Sequence, residues 1–131
     1  KLAVSGCPRN CAESGIKDVG VIGVASGYEI YVAGNGGIRT EVAQFMCKVD
    51  SDEAVMEFAG AFIQLYREEA HYLERTCHYV ARVGLDFVKR RVVEDADSRT
   101  ALHGRLLYAL DGATDPWNDA VRNPAEWRAR F

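Results

Sequence analysis

The pattern of apolar residues changes character near residue 50, and that change constrains the fold more than any other feature of the chain. Up to Val32 apolar residues come in short runs broken by glycine, whereas beyond Asp50 they recur at helical spacing. Leu2 and Val4 alternate in a short strand, Asp18 to Ala25 is rich in Val, Ile and Gly, and Tyr28, Ile30 and Val32 alternate with Glu29, Tyr31 and Ala33. Ser26-Gly27 joins the latter two as a hairpin. Val42, Phe45, Met46 and Val49 then fall at helical spacing, and Asp50-Ser51-Asp52-Glu53 offers caps for a new helix. Val55, Phe58, Phe62, Leu65, Tyr72 and Leu73 trace an apolar stripe through residues 53–75, and Gly84 separates helices at 76–83 and 85–93. Leu102, Leu106 and Leu110 mark another helix, capped by Asp97 or Ser98 and stopped by Gly112, and Asn123-Pro124-Ala125-Glu126 opens a last short one. The pattern implies an α+β fold: a small mixed or antiparallel sheet of about three strands with helices packed on it, followed by a helical C-terminal region.

A chain of 131 residues is long enough for one domain with a real core, or for a piece of something larger. Its opening, Lys1-Leu2-Ala3-Val4-Ser5, is too short for a signal sequence and runs straight into an element, so a fragment is expected. At 48% hydrophobic and 27% charged residues the composition is that of a soluble globular protein, and no apolar run approaches the ~20 residues of a membrane span. A net charge of −3, unevenly spread, does not recommend nucleic acid as a partner. Four cysteines (Cys7, Cys11, Cys47, Cys77) without dense spacing argue for a reducing compartment, the cytoplasm, over a disulfide scaffold.

The segment Cys7-Pro8-Arg9-Asn10-Cys11 carries the chemistry. Proline fits the first position of a helix, so the spacing predicts a helix from Pro8 to about Ser14 with Cys7 at its cap and Gly15 as the stop. The unpaired amides of its first turn would then favour thiolate at both sulfurs, as a metal ligand or a reactive cysteine requires. The same residues admit blander readings: buried thiols on a short helix, or half of a zinc site. Cys47 and Cys77 lie inside helical patterns and read as core, while His71 and His78 read as surface or packing residues. Three glycines in Gly34-Asn35-Gly36-Gly37 call for positive φ or a backbone that something approaches closely.

Ser5-Gly6-Cys7-Pro8-Arg9-Asn10-Cys11-Ala12-Glu13, followed by two strands and Ala33-Gly34-Asn35-Gly36-Gly37, resembles the second half of the sirohaem-binding domain of nitrite and sulfite reductases. The family's cluster signature has a C-x5-C pair and a later C-x3-C pair that usually begins Cys-Pro, and only the second pair is present here. Residues 1–95, with Ala61-Phe62-Ile63-Gln64-Leu65-Tyr66-Arg67-Glu68-Glu69-Ala70, are similar to the C-terminal region of the large subunit of NAD(P)H-dependent nitrite reductases. Residues 98–117 resemble that subunit's tail.

The resemblance implies residues 1–95 as the C-terminal half of a sirohaem–iron–sulfur domain (1–50 cysteine and glycine loops with strands, 51–95 helical) and 96–131 as a helical tail. It implies Cys7 and Cys11 as two of four thiolates on a [4Fe–4S] cluster, with Cys11 also the axial ligand of the sirohaem iron and the one catalytic contribution of the fragment. It suggests Arg9, Asn10, Asn35, Gly36, Gly37 and Arg39 for the sirohaem carboxylates. The parent would reduce nitrite to ammonia by six electrons, with FAD and NAD(P)H bound outside this chain. Its partners would be the rest of the large subunit, which supplies the other two cysteines and the basic residues that hold substrate, and a small Rieske-like subunit, with no nucleic acid or membrane involved. The fragment alone is expected to be apo and inactive. The other readings are a sulfite reductase fragment, a non-catalytic zinc or redox module, and a helical interaction domain with inert thiols.

Overall fold

The computed structural model describes residues 1–113 and 115–129. Strands β1 (Leu2–Ser5), β2 (Val19–Val24), β3 (Gly27–Val32) and a later strand, Gln44–Val49, form a mixed sheet. Between the last two, the short strands β4 (Asn35–Gly36) and β5 (Thr40–Glu41) make a separate ribbon, so Gln44–Val49 is β6. The order is β1-β2-β3-β6, with β1 parallel to β2 and the remaining pairs antiparallel. Sheet and helices together make the expected α+β fold, with four strands in the main sheet and two in the ribbon.

The hairpin turns at Ala25-Ser26, with Gly27 at φ 117 opening β3, a backbone angle that favours glycine. Ile30 and Val32 are fully buried and alternate with partly exposed Glu29 and Tyr31, as a strand with one covered face demands.

The helical spacing of Val42, Phe45, Met46 and Val49 is misleading, because the last three enter β6 and Val42 lies just ahead of it. Ile30 pairs with Cys47 but Tyr31 pairs with Phe45, so Met46 is the extra residue of a β-bulge. The bulge buries Met46 and Cys47 side by side, which erases the alternation that would have marked a strand.

Helix α1 (Asp52–Glu69) starts where its cap residues stand: the Ser51 hydroxyl accepts from Ala54 N at 3.2 Å, and Asp52 and Glu53 sit in the first turn. It ends at Glu69, short of the expected residue 75. Tyr72 and Leu73 lie in the following turn at 93% and 81% exposure, with Leu73 at φ 61, so they are not part of the buried stripe. Helices α2 (Thr76–Val83) and α3 (Leu85–Lys89) meet at Gly84, φ 88. From α3 the chain widens into a π-turn at Arg90–Glu94 before α4 (Ala96–Asp111). Asp95, not Asp97 or Ser98, caps α4, its carboxylate accepting from Ser98 N at 2.9 Å. The short helices α5 (Pro116–Arg122) and α6 (Pro124–Arg128) follow, the second where Asn123-Pro124 announces it.

One core joins β2, β3 and β6 to helices α1 to α4. Val19, Ile30, Val32, Met46 and Cys47 from the sheet meet Ala61, Phe62 and Leu65 of α1, Tyr79 and Val80 of α2, Val88, Val92 and Leu102. Asp18, just ahead of β2, receives the Arg75 guanidinium on both oxygens at 3.0 and 3.1 Å and the Thr76 hydroxyl, which fixes the start of α2 to the sheet. No helix of the described residues is long and apolar enough to cross a membrane.

Candidate metal centre

Parallel strands cannot be joined by a tight hairpin, so the link from β1 to β2 must travel back along the sheet. The cysteines are on that link. It contains no α-helix, contrary to the expectation for Pro8 to Ser14, and the reason is local. Asn10 N donates to the Cys7 carbonyl at 3.1 Å, Glu13 N to the Asn10 carbonyl at 2.9 Å, and Ile16 N to the Glu13 carbonyl at 3.1 Å. These are three reverse turns in series, ending in a 3-10 turn at Ser14–Ile16. Asn10 and Glu13 both take the left-handed conformation, φ 55 and 58, which a continuous helix cannot contain. Pro8 therefore serves at the second position of the turn Cys7–Asn10, where its fixed φ suits a reverse turn as well as it suits a helix start. The helix-end stabilisation expected for the thiolates has no helix behind it.

The link is tied down by a polar knot. Ser5 and Ser14 are buried, with their hydroxyl oxygens 2.8 Å apart, and the Ser5 hydroxyl is 3.1 Å from Asn10 Oδ1. Gly15 N donates to the same Oδ1 at 3.3 Å. An amide N–H can only donate, so Asn10 must present its oxygen here. The Ser5 hydroxyl has one proton, which goes to Asn10, so Ser14 must donate to Ser5. Beneath the knot the link lies directly on the sheet: a Cβ on Gly20 of β2 would stand 1.9 Å from the Ser14 carbonyl oxygen.

The glycine loop is fastened to the same place. Ala33 turns the chain at φ 66 after β3, and Gly34 N donates to the Lys17 carbonyl at 2.9 Å. Gly34 is needed for close approach, since its Cβ would fall 2.6 Å from that oxygen. Ala43 N reaches the Gly15 carbonyl at 2.8 Å, so the cysteine link and the glycine loop are braced on one turn.

Cys7 and Cys11 are exposed, at the outer side of this link, while Cys47 and Cys77 are buried. Burial pushes the Cys47 thiol up to about 11, which keeps it protonated and unsuited to metal. Arg9, Gly36, Gly37 and Arg39 are exposed, and Asn35 is partly buried, its Nδ2 donating to the Arg39 carbonyl at 2.9 Å. Asn10 is partly buried with its oxygen turned into the knot. The structure thus gathers Cys7, Arg9, Asn10 and Cys11 on one link and Asn35, Gly36, Gly37 and Arg39 on a neighbouring ribbon. His71 and His78 are exposed and lie elsewhere, on the turn after α1 and on α2.

Among the described residues no three His, Cys, Asp or Glu side chains are placed to hold a metal ion. Two exposed thiols on one stiffened link fit half of the thiolate set of a [4Fe–4S] cluster. The knot of Ser5, Asn10 and Ser14 is what the sequence reading missed. Small hydroxyl residues flanking a loop are too common to signal it.

Residues 1–100 match the family described as the nitrite and sulphite reductase 4Fe-4S domain. The chain is 51% identical over 123 residues to "Nitrite reductase [NAD(P)H]" of Bacillus subtilis (strain 168), covering 94% of this chain and 15% of that protein. It is 33% identical over 128 residues to the protein of the same name from Neurospora crassa, covering 95% of this chain and 11% of the relative. A "Sulfite reductase, assimilatory-type" of Nitratidesulfovibrio vulgaris is 27% identical over 93 residues, 71% of this chain and 43% of that protein. The chain thus spans a small part of the nitrite reductases it matches. With the family matching from the first strand through the π-turn and into α4, this chain belongs to the nitrite and sulphite reductase 4Fe-4S domain family.

Proposed function

We propose that this chain is the part of an NAD(P)H-dependent nitrite reductase that contributes Cys7 and Cys11 as two of four thiolates around a [4Fe–4S] cluster, with Cys11 also the axial ligand of a sirohaem iron. The observation that carries the reading is the contrast among the four cysteines: the two in the matched signature are exposed on a braced link, and the other two are buried in the core. When bound, the coupled cofactors would supply the one-electron steps that take nitrite to ammonia, six electrons in all. The chain's own share is to hold, orient and neutralise. Arg9 and Arg39 offer guanidinium groups, and Gly36 and Gly37 offer amides, to the carboxylates of the macrocycle. The other two thiolates, the substrate-holding basic residues, FAD and the nicotinamide site belong to the remainder of the parent, and the cytoplasm is its compartment. Residues 1–95 form the cofactor-bearing half-domain and residues 96–131 its helical tail. Nitrite is favoured over sulfite because the relative with 51% identity is named a nitrite reductase, while the named sulfite reductase stands at 27%.

The test is substitution in the full-length parent. Cys7→Ser and Cys11→Ser each abolish acid-labile sulfide and the visible absorbance of the coupled centre, and with them nitrite turnover, whereas Cys47→Ser and Cys77→Ser keep all three. A parent that is colourless and iron-free when purified anaerobically, or that keeps its cluster in both of the first two variants, refutes the assignment.

A further inference from the structure

We infer that Asn10 is a positioning residue, whose side chain sets the cysteine link in its ligand-presenting shape before iron arrives. The inference rests on Cys7 and Cys11 being cluster ligands, and it reassigns Asn10 from contact with the cofactor to construction of the site.

Asn10 is committed three times within the eleven residues from Ser5 to Gly15. Its N–H closes the turn that begins at Cys7, its carbonyl closes the turn that holds Cys11, and its side-chain oxygen accepts from Ser5 and from Gly15 N. Ser5 is the last residue of β1 and Gly15 lies in the 3-10 turn, so this one oxygen joins the two ends of the link. The donors behind it run in a line from the Ser14 hydroxyl to Ser5 to Asn10, with both serines buried. Removing the acceptor leaves the buried Ser5 and Ser14 hydroxyls with only each other, so one of their two protons goes unpaired and the tie to Gly15 is lost.

The backbone requirement and the side-chain requirement can be separated. At φ 55 glycine is accommodated at least as well as asparagine, so Asn10→Gly keeps the turn and removes the side chain that carries the oxygen. Asn10→Asp keeps an oxygen that accepts from Ser5 and Gly15 and adds a negative charge on the residue next to Cys11 in the chain, which makes reduction of the centre harder.

The experiment uses the full-length parent. In Asn10→Gly, amide hydrogen exchange of residues 7–15 in the iron-free protein speeds up by about tenfold or more, and loss of iron to a chelator accelerates by a similar factor. Asn10→Asp restores both rates and shifts the reduction potential of the centre downward. Arg105→Gln, which breaks the ion pair with Glu68 in the helical body at 2.7 Å, lowers the melting temperature without changing either rate at the link. If Asn10→Gly matches wild type in both rates while wild type carries its cluster, or if Arg105→Gln accelerates iron loss as much as Asn10→Gly does, the inference fails and the ligand assignment stands. If wild type holds no iron, the ligand assignment fails and takes the inference with it.

Discussion

Gly20 shows how much a single missing methyl group decides. The Ser14 carbonyl occupies the space a Cβ would take, so Gly20→Ala forces the link off the sheet or the sheet off its register. Overpacking of this kind costs about 1–3 kcal/mol. We expect Gly20→Ala to lower the melting temperature and, in the parent, iron content as well, both measurable on one purified sample. Glu74 gives the residue scale a pH signature. Bonds from the Arg82 guanidinium and, next, from the His71 amide hold its carboxyl down at about 2, against an ordinary value of about 4.3. A depressed carboxyl stabilises the fold above its unfolded value and loses that contribution as pH falls toward its folded one. Stability therefore declines between about pH 4.5 and 2, and in Glu74→Gln the slope over that window is shallower, as an acid titration followed by circular dichroism would record. Much at this scale was legible from sequence: Ser51, Gly84 and Asn123-Pro124 announce the ends they make, because caps and breakers act on their neighbours. Asn10 and Pro8 were not, since a proline that opens a helix and one that opens a reverse turn look alike until the next residue's φ is known.

Among the elements, the π-turn at Arg90–Glu94 depends on a residue outside it. Arg99 Nη1 donates to the carbonyls of Val92 and Val93 at 3.1 and 3.0 Å, its Nε to Glu57 at 3.0 Å, and its guanidinium lies 4.2 Å from the centre of the Phe58 ring. One side chain thus satisfies carbonyls that the widened turn leaves unpaired and pins them to α1. Arg99→Lys keeps the charge but loses the planar fork, and we expect destabilisation of about 1–3 kcal/mol in denaturant unfolding. Strands β2 and β3 were readable because their alternation survives. Strand β6 was not, because the bulge at Met46 shifts its phase midway, and two adjacent buried residues imitate a helix. Helix α1 was read too long for a related reason: Tyr72 and Leu73 continue the apolar spacing although the chain has already turned away.

For the molecule as a whole, sequence showed a strand-rich first part and a helical second part, but not the ties between them. The ion pair of Asp18 with Arg75 spans 57 residues and leaves no local trace. Nor does the register that sets the cysteine link and the glycine ribbon on a common turn. On the proposed ligand set this chain would offer iron two thiolates, so its anaerobic reconstitution alone should give far less than one cluster per chain, with iron and acid-labile sulfide as the measure.

The parallel pair β1–β2 is spliced only through the sulfur-bearing turns, whereas the hairpin β2–β3 has its own short joint. Loss of the Ser5–Asn10–Ser14 knot, as in Asn10→Gly, would slacken that splice and leave the hairpin intact. The injury would then surface as a fraying outer strand, open to proteases between residues 6 and 13.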